Sequence, residues 1–228
     1  MDIGYFRNPN TINVFSDASI KQVGIVDGKR RYHSCYGAVV VYGDQKMDAI
    51  YKVCSNSTNN DGEIKGIRSA VSLALRYRNY CNIINVFSDS QVSIFGIRDR
   101  IFQWENINDT ICGYNQNPIA NQSIYLEILD MITRSDIHIN FWHQKGHVNS
   151  SNKESLNNAA HVFKSSNGIR EEVDTNLIKY LARWNNEVDR TSRKVLHETD
   201  FSRDYMDALR FVPHNFYERL EKFESLGG

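Results

Sequence analysis

Short β-branched and aromatic runs alternate along this chain with segments whose apolar residues recur every three or four positions. Thr11 to Phe15 (Thr-Ile-Asn-Val-Phe) predicts a strand ending on the polar turn Ser16-Asp17-Ala18-Ser19. A loop with Gly24, Asp27-Gly28 and the basic triplet Lys29-Arg30-Arg31 follows. Tyr36 to Tyr42 predicts a buried strand, and Gly43-Asp44 turns it into a third at Asp48 to Cys54, so the first three strands form an antiparallel meander. The polar run Ser55 to Asn60 leads into a helix. There Ile64, Ile67, Ala70, Val71, Ala74 and Leu75 share a buried face, while Lys65, Arg68, Arg76 and Arg78 stay in water.

Ile83 to Phe87 predicts a fourth strand, Ser88-Asp89-Ser90 a corner, and Gln91 to about Ile101 a second helix. Phe102 to Pro118 is irregular. Asn121 to Thr133 predicts a helix, Ile137 to Trp142 a fifth strand, His143 to Asn149 a polar loop, and Asn152 to Lys164 a further helix. A meander followed by alternating strands and helices predicts an α/β fold with a five-stranded mixed sheet, flanked by helices. Beyond Ser165 to Gly168 the strand pattern ceases. Helices are predicted over Glu171 to Asn186, Asp200 to Phe211 and, after Pro213, about Asn215 to Glu224. The chain therefore divides into a catalytic-sized domain, 1–168, and a small all-α C-terminal extension, 169–228. The leucines, Trp184 and tyrosines of the extension suit packing back on the first domain, self-association or a protein partner.

Composition narrows this picture. A chain of 228 residues with 41% hydrophobic content buries a full core. No apolar run reaches the length of a membrane span, and the first residues lack the pattern of a secretion signal, so the expectation is a soluble, cytoplasmic protein without membrane attachment. Cys35, Cys54, Cys81 and Cys112 are too scattered for a zinc site and are expected as reduced thiols. The formal net charge is zero, with 27 basic and 27 acidic residues, which argues against a simple basic coat for nucleic acid.

The candidate chemistry lies in three acids, Asp17, Glu63 and Asp89. Each has an ordinary reading: Asp17 as a turn aspartate, Glu63 as the partner of Asn60 in a capping box, Asp89 as a helix cap. Jointly they say more. If the first and fourth strands are parallel neighbours, Asp17 and Asp89 share the carboxyl end of the sheet, and the first turn of the crossover helix brings Glu63 there. Three carboxylates so close repel one another unless hard divalent cations sit between them. Mg²⁺ and phosphodiester chemistry are the natural fit.

With these residues in place, Thr11 to about Lys164 resembles ribonuclease H of the cellular type I family, which cuts the RNA strand of RNA–DNA hybrids. The resemblance is carried by Val14-Phe15-Ser16-Asp17-Ala18-Ser19, Tyr36-Gly37-Ala38-Val39, Thr58-Asn59-Asn60-Asp61-Gly62-Glu63, Phe87-Ser88-Asp89-Ser90-Gln91 and the loop Lys145-Gly146-His147. It implies an RNase H-like fold and a two-metal mechanism with two Mg²⁺ ions, or Mn²⁺ in their place, about 4 Å apart. Products would carry 5′-phosphate and 3′-hydroxyl ends. Asp17 would bridge the ions, Glu63 and Asp89 would complete their shells, and His147 would assist proton transfer or product release. Asn59, Asn60 and Gln91, with Ser90 beside them, would read the minor groove and 2′-hydroxyls; Thr58 and Lys145 would reach phosphates.

Two departures from the family pattern stand out. Where relatives carry a basic protrusion, Arg98 and Arg100 are offset by Asp99 and Glu105 near Trp104. The family's fourth carboxylate, about ten residues beyond the loop histidine, is replaced by Asn157, or by Asn158 if the loop differs by one residue, with Glu154 as a substitute one turn earlier. An amide oxygen still coordinates a metal but adds no charge. The leading expectation is a hybrid-cutting endoribonuclease. Its rival is a catalytically weakened module binding hybrid or double-stranded RNA; a DNA-directed nuclease ranks below both because Thr58-Asn59-Asn60 and Gln91 match hybrid-reading groups.

Overall fold

The run Ala38 to Val41 has no polar side to turn to water, and Ile12 to Phe15 is apolar but for Asn13, so a sheet built from them must be covered on both faces. In the computed structural model, which describes residues 1–26, 29–108, 110–201 and 208–211, this is the arrangement. The meander consists of β1 (Thr11–Val26), β2 (Lys29–Tyr42) and β3 (Gln45–Ser57). Then follow α1 (Asn59–Ala74), β4 (Ile83–Ser88) and the short α2 (Gln91–Phe95), which continues as a π turn over Gly96–Arg100 and a 3₁₀ turn over Ile101–Gln103. A small hairpin, β5 (Glu105–Ile107) and β6 (Thr110–Cys112), occupies the stretch read as irregular. The helix α3 (Gln122–Thr133), the strand β7 (His138–His143), and the helices α4 (Lys153–Ser166) and α5 (Thr175–Glu198) complete the main body.

The sheet order is β7-β4-β1-β2-β3, with a short strand β8 (Ala208–Phe211) added beside β3. β1 runs parallel to β4, and β4 to β7; the other neighbours are antiparallel. Side chains alternate across the sheet as the pleat requires. Val14, Val40, Ile84 and Val86 face α1, α2 and α3, where Ile64, Ile67, Ile94 and Ile128 meet them. Phe15, Val39, Val41 and Phe87 face α4 and α5, with Phe15 and Phe87 stacked across the parallel pair at 4.7 Å. The predicted five-stranded mixed sheet, flanked by helices, is present.

Several local expectations are corrected. Ser16 to Ser19 is not a turn: β1 continues to Val26, and Asp17 pairs with Gly37 inside the β1/β2 ladder. Polar side chains favour turns, but a partner strand in register supplies ladder hydrogen bonds that outweigh the preference. Helix α1 is capped by Thr58, whose hydroxyl accepts from the Asp61 amide, so Asn60 and Glu63 form no capping box. Ala208–Phe211 is a strand on the open edge of β3 where a helix was predicted. The helix predicted at Asn215 to Glu224 lies outside the described residues.

Helix α5 is longer than its predicted span and lies under β1 and β2. Leu177, Leu181, Trp184, Val188 and Val195 join the sheet's core, and the Tyr180 hydroxyl accepts from Asn13 Nδ2 (3.0 Å) while donating to the Gly43 carbonyl (3.0 Å). The four cysteines are free thiols. No helix among the described residues is long and apolar enough to cross a membrane.

Candidate active site

The parallel register of β1 and β4 ends at Ser16 opposite Ser88, so Asp17 and Asp89 are the next residue of each strand at the same sheet end. Glu63 comes from the first turns of α1, where Gly62 lets the helix close on β1: a β-carbon there would lie 3.2 Å from that of Ala18. Oxygen atoms of the three carboxylates lie within 4.8 Å of one another. Asp17 is buried and accepts from the Ala18 amide at 2.7 Å. The Glu63 Oε2 atom is buried and finds no hydrogen-bond donor among the described residues.

Burial and the charges of neighbouring acids raise all three. Asp17 is pushed well above the ordinary carboxylate range by desolvation first, then by the charges of Asp89, Glu63 and Asp189. Glu63 is pushed up to about 8 by desolvation and by Asp89 and Asp189. Asp89 is raised by desolvation, against the lowering influence of His147 and of a hydrogen bond from Asn185. Groups in this condition are unfavourable as bare anions and suit a hard divalent cation, which would satisfy the orphaned Glu63 oxygen and offset the repulsion.

The loop after β7 closes over this cluster. Gly146 is essential to its path, because a β-carbon there would stand 2.1 Å from Asp89 Oδ2. His147 is exposed at the mouth of the cleft, with a backbone φ of 53°. Its neighbour is Asp189 of α5, whose Oδ2 is 3.8 Å from His147 Nδ1. Asp189, Arg193 and His197, spaced four apart on α5, line one wall of the cleft of about 360 Å³ above the triad. Below them the buried Asn185 accepts from Gln144 Nε2 at 2.7 Å, tying α5 to the histidine loop.

The structure gathers some sequence-derived candidates and leaves others apart. Asp17, Glu63, Asp89, His147 and Asn59 all line the cleft. Thr58, Asn60 and Gln91 are exposed beside it in sequence, at the starts of α1 and α2. The Ser90 hydroxyl caps α2 and bonds Ser93 Oγ at 2.9 Å, a structural task. Lys145 is half-buried. Asn157 and Asn158 are exposed on α4, as is Glu154, and none of them lines the cleft. Arg98 is occupied: it pairs with Asp99 and donates to Asn167 Oδ1 and the Ser166 carbonyl, holding the end of α4.

Asp189 was missed because the family spacing pointed to the first helix after the loop, whereas α4 intervenes and α5 is the helix that reaches the site. A signal was present. On α5 the apolar stripe Leu177, Leu181, Trp184, Val188, Val195 carries Asn185 and Asp189 at its edge, and polar residues beside a buried stripe need a reason to be there.

Comparison with known proteins bears on the family and the fold. The family model for RNase H matches residues 9–163. Among solved structures, the protease-reverse transcriptase of prototype foamy virus shares 16% identity at a TM-score of 0.55, covering 83% of this chain and 21% of that one. RNase H1 of the archaeon Halobacterium salinarum shares 16% identity (TM-score 0.42; 67% of this chain, 93% of that one). LC11-RNase H1, solved in complex with an RNA/DNA hybrid, shares 14% (TM-score 0.45; 65% and 95%). The chain thus spans about a fifth of the foamy viral protein and nearly the whole of the two RNase H1 chains. No curated protein matches it in sequence.

Proposed function

The chain belongs to the RNase H family, and we propose that it is a metal-dependent endoribonuclease hydrolysing the RNA strand of RNA–DNA hybrids, leaving 5′-phosphate and 3′-hydroxyl ends. The observation that carries the reading is the gathering of Asp17, Glu63 and Asp89 within 4.8 Å, with one Glu63 oxygen buried and unpartnered. Mg²⁺, or Mn²⁺ in its place, would be held by these three, with Asp189 as the fourth carboxylate. Two such ions, when bound, supply Lewis-acid activation of water and neutralise charge at the scissile phosphate.

The chain's own groups do the rest. Asp17, the most buried of the three, anchors the cluster through its bond from the Ala18 amide. Gly146 lets the loop approach Asp89, and His147 at the cleft mouth is placed to give a proton to the departing 3′ oxygen or to help product leave. Asn59, Asn60 and Gln91 present amides toward a minor groove and its 2′-hydroxyls, with Thr58 and Lys145 toward phosphates. Reduced activity was the reading that an amide at Asn157 favoured. Asp189 in the cleft wall favours a working site instead.

Cleavage of an end-labelled hybrid in Mg²⁺ and in Mn²⁺, beside single-stranded RNA, duplex RNA and duplex DNA, tests the proposal. Hybrid-restricted cleavage that Asp17→Asn abolishes is the expected result. No hybrid cleavage in either metal, from protein that binds hybrid as well as Asp17→Asn does, would leave a binding module and overturn it.

A further inference from the structure

Arg193 follows Asp189 by one helical turn on α5. Its Nε donates to Asp189 Oδ1 at 2.8 Å and its Nη2 to Oδ2 at 2.5 Å. The same Nη2 lies 3.5 Å from His147 Nδ1, and Ser19 Oγ donates to Asp189 Oδ1 at 3.4 Å. Both oxygens of the carboxylate proposed as the fourth metal ligand are therefore engaged by a cation that the chain itself supplies.

The bland reading is a surface pair at helical spacing, which contributes little to stability. Lys194 and Glu198 on the same helix fit that description, both mostly exposed and 3.9 Å apart. The Arg193 pair differs in three respects. Its carboxylate is only 15% exposed, its geometry is a two-point fork, and it faces the cleft that holds three further acids. The other cations nearby on α5 have partners of their own, Arg190 with Glu187 and Lys194 with Glu198.

We propose that Arg193 is a positioning residue serving as a built-in counter-cation: it holds Asp189 and the His147 loop at the cleft wall and competes with the divalent ion for Asp189. Filling the fourth ligand position then requires the guanidinium to leave the carboxylate, so the free protein binds metal more weakly than its acids alone would dictate. The inference rests on the metal-dependent reading above.

Calorimetric titration of the full chain with Mn²⁺, without substrate, tests it. Arg193 is half exposed, so its replacement leaves the fold intact, and a thermal melt confirms this for each variant. The expected result is that Arg193→Gln tightens Mn²⁺ binding by about threefold to tenfold. Arg193→Lys, which keeps the charge but not the fork, tightens it also, and Arg193→Gln has no effect in the Asp189→Asn background. Unchanged or weaker binding in Arg193→Gln, wild-type binding in Arg193→Lys, or an equal gain in the Asp189→Asn background would each overturn this proposal while leaving the metal site standing. Absence of any Mn²⁺ binding that Asp17→Asn removes would overturn the metal reading and this proposal with it.

Discussion

A β-carbon on Gly146 would stand 2.1 Å from Oδ2 of Asp89, so the loop bearing His147 and the carboxylate at the end of β4 fit together only while residue 146 is glycine. Gly146→Ala must push the loop or the carboxylate away. Because the strain falls on the site and not on the core, the melting temperature is expected to hold within a few degrees. Mn²⁺ affinity and hybrid cleavage should each fall by about tenfold or more. Titration and cleavage assays on the same preparation check this.

Asp189 and Asn157 make opposite predictions. Asp189 lines the cleft and raises the neighbouring acids through its charge, whereas Asn157 is exposed on α4. Asp189→Asn is expected to lower hybrid cleavage by about a hundredfold at fixed Mg²⁺, with partial recovery at high metal. Asn157→Asp should leave both rate and metal dependence as they are. A gain from Asn157→Asp would return the fourth position to α4.

The raised acids fix the sign of a pH effect on stability. Burial and the charges of Asp89 and Asp189 push Glu63 up to about 8, against 4.5 for the same group when solvated. Between those values the folded state keeps a proton that the unfolded chain has released, and Asp17 and Asp89 shift in the same direction. This contribution is complete below the solvated value and is lost as pH rises through about 8. Glu63→Gln should therefore raise the melting temperature at pH 8.5 more than at pH 5. Saturating Mg²⁺ should raise that of the wild type most at the higher pH. Differential scanning calorimetry at the two pH values, with and without metal, is the measurement.

The role of α5 in folding is open to a direct test. Its apolar stripe covers Phe15, Val39, Val41 and Phe87, and Tyr180 satisfies the buried Asn13 beneath the sheet. A chain cut after Gly168 keeps α4 but would expose the part of that face that α5 covers over β1 and β2, so it should be insoluble or bind a hydrophobic dye strongly. In the intact chain, Tyr180→Phe should cost about 1–3 kcal/mol in urea denaturation, since the Gly43 carbonyl loses its donor.

Much of this protein is local and therefore legible in its sequence. The largely apolar runs of Ile12 to Phe15, Ala38 to Val41 and Ile83 to Phe87, the periodicity of α1 and the acids that follow two of these runs depend on neighbours a few residues away. They gave the mixed sheet and the cluster of Asp17, Glu63 and Asp89. Tertiary structure decided what depends on partners far along the chain. Asp17 lies within a ladder because β2 continues opposite it, and Ala208–Phe211 is extended because β3 had an open edge. Asp189 reaches the cleft because the amphipathic face of α5, and not that of α4, covers β1 and β2. Which of two amphipathic helices covers a sheet is settled by shape and total apolar area, and spacing from a histidine carries neither.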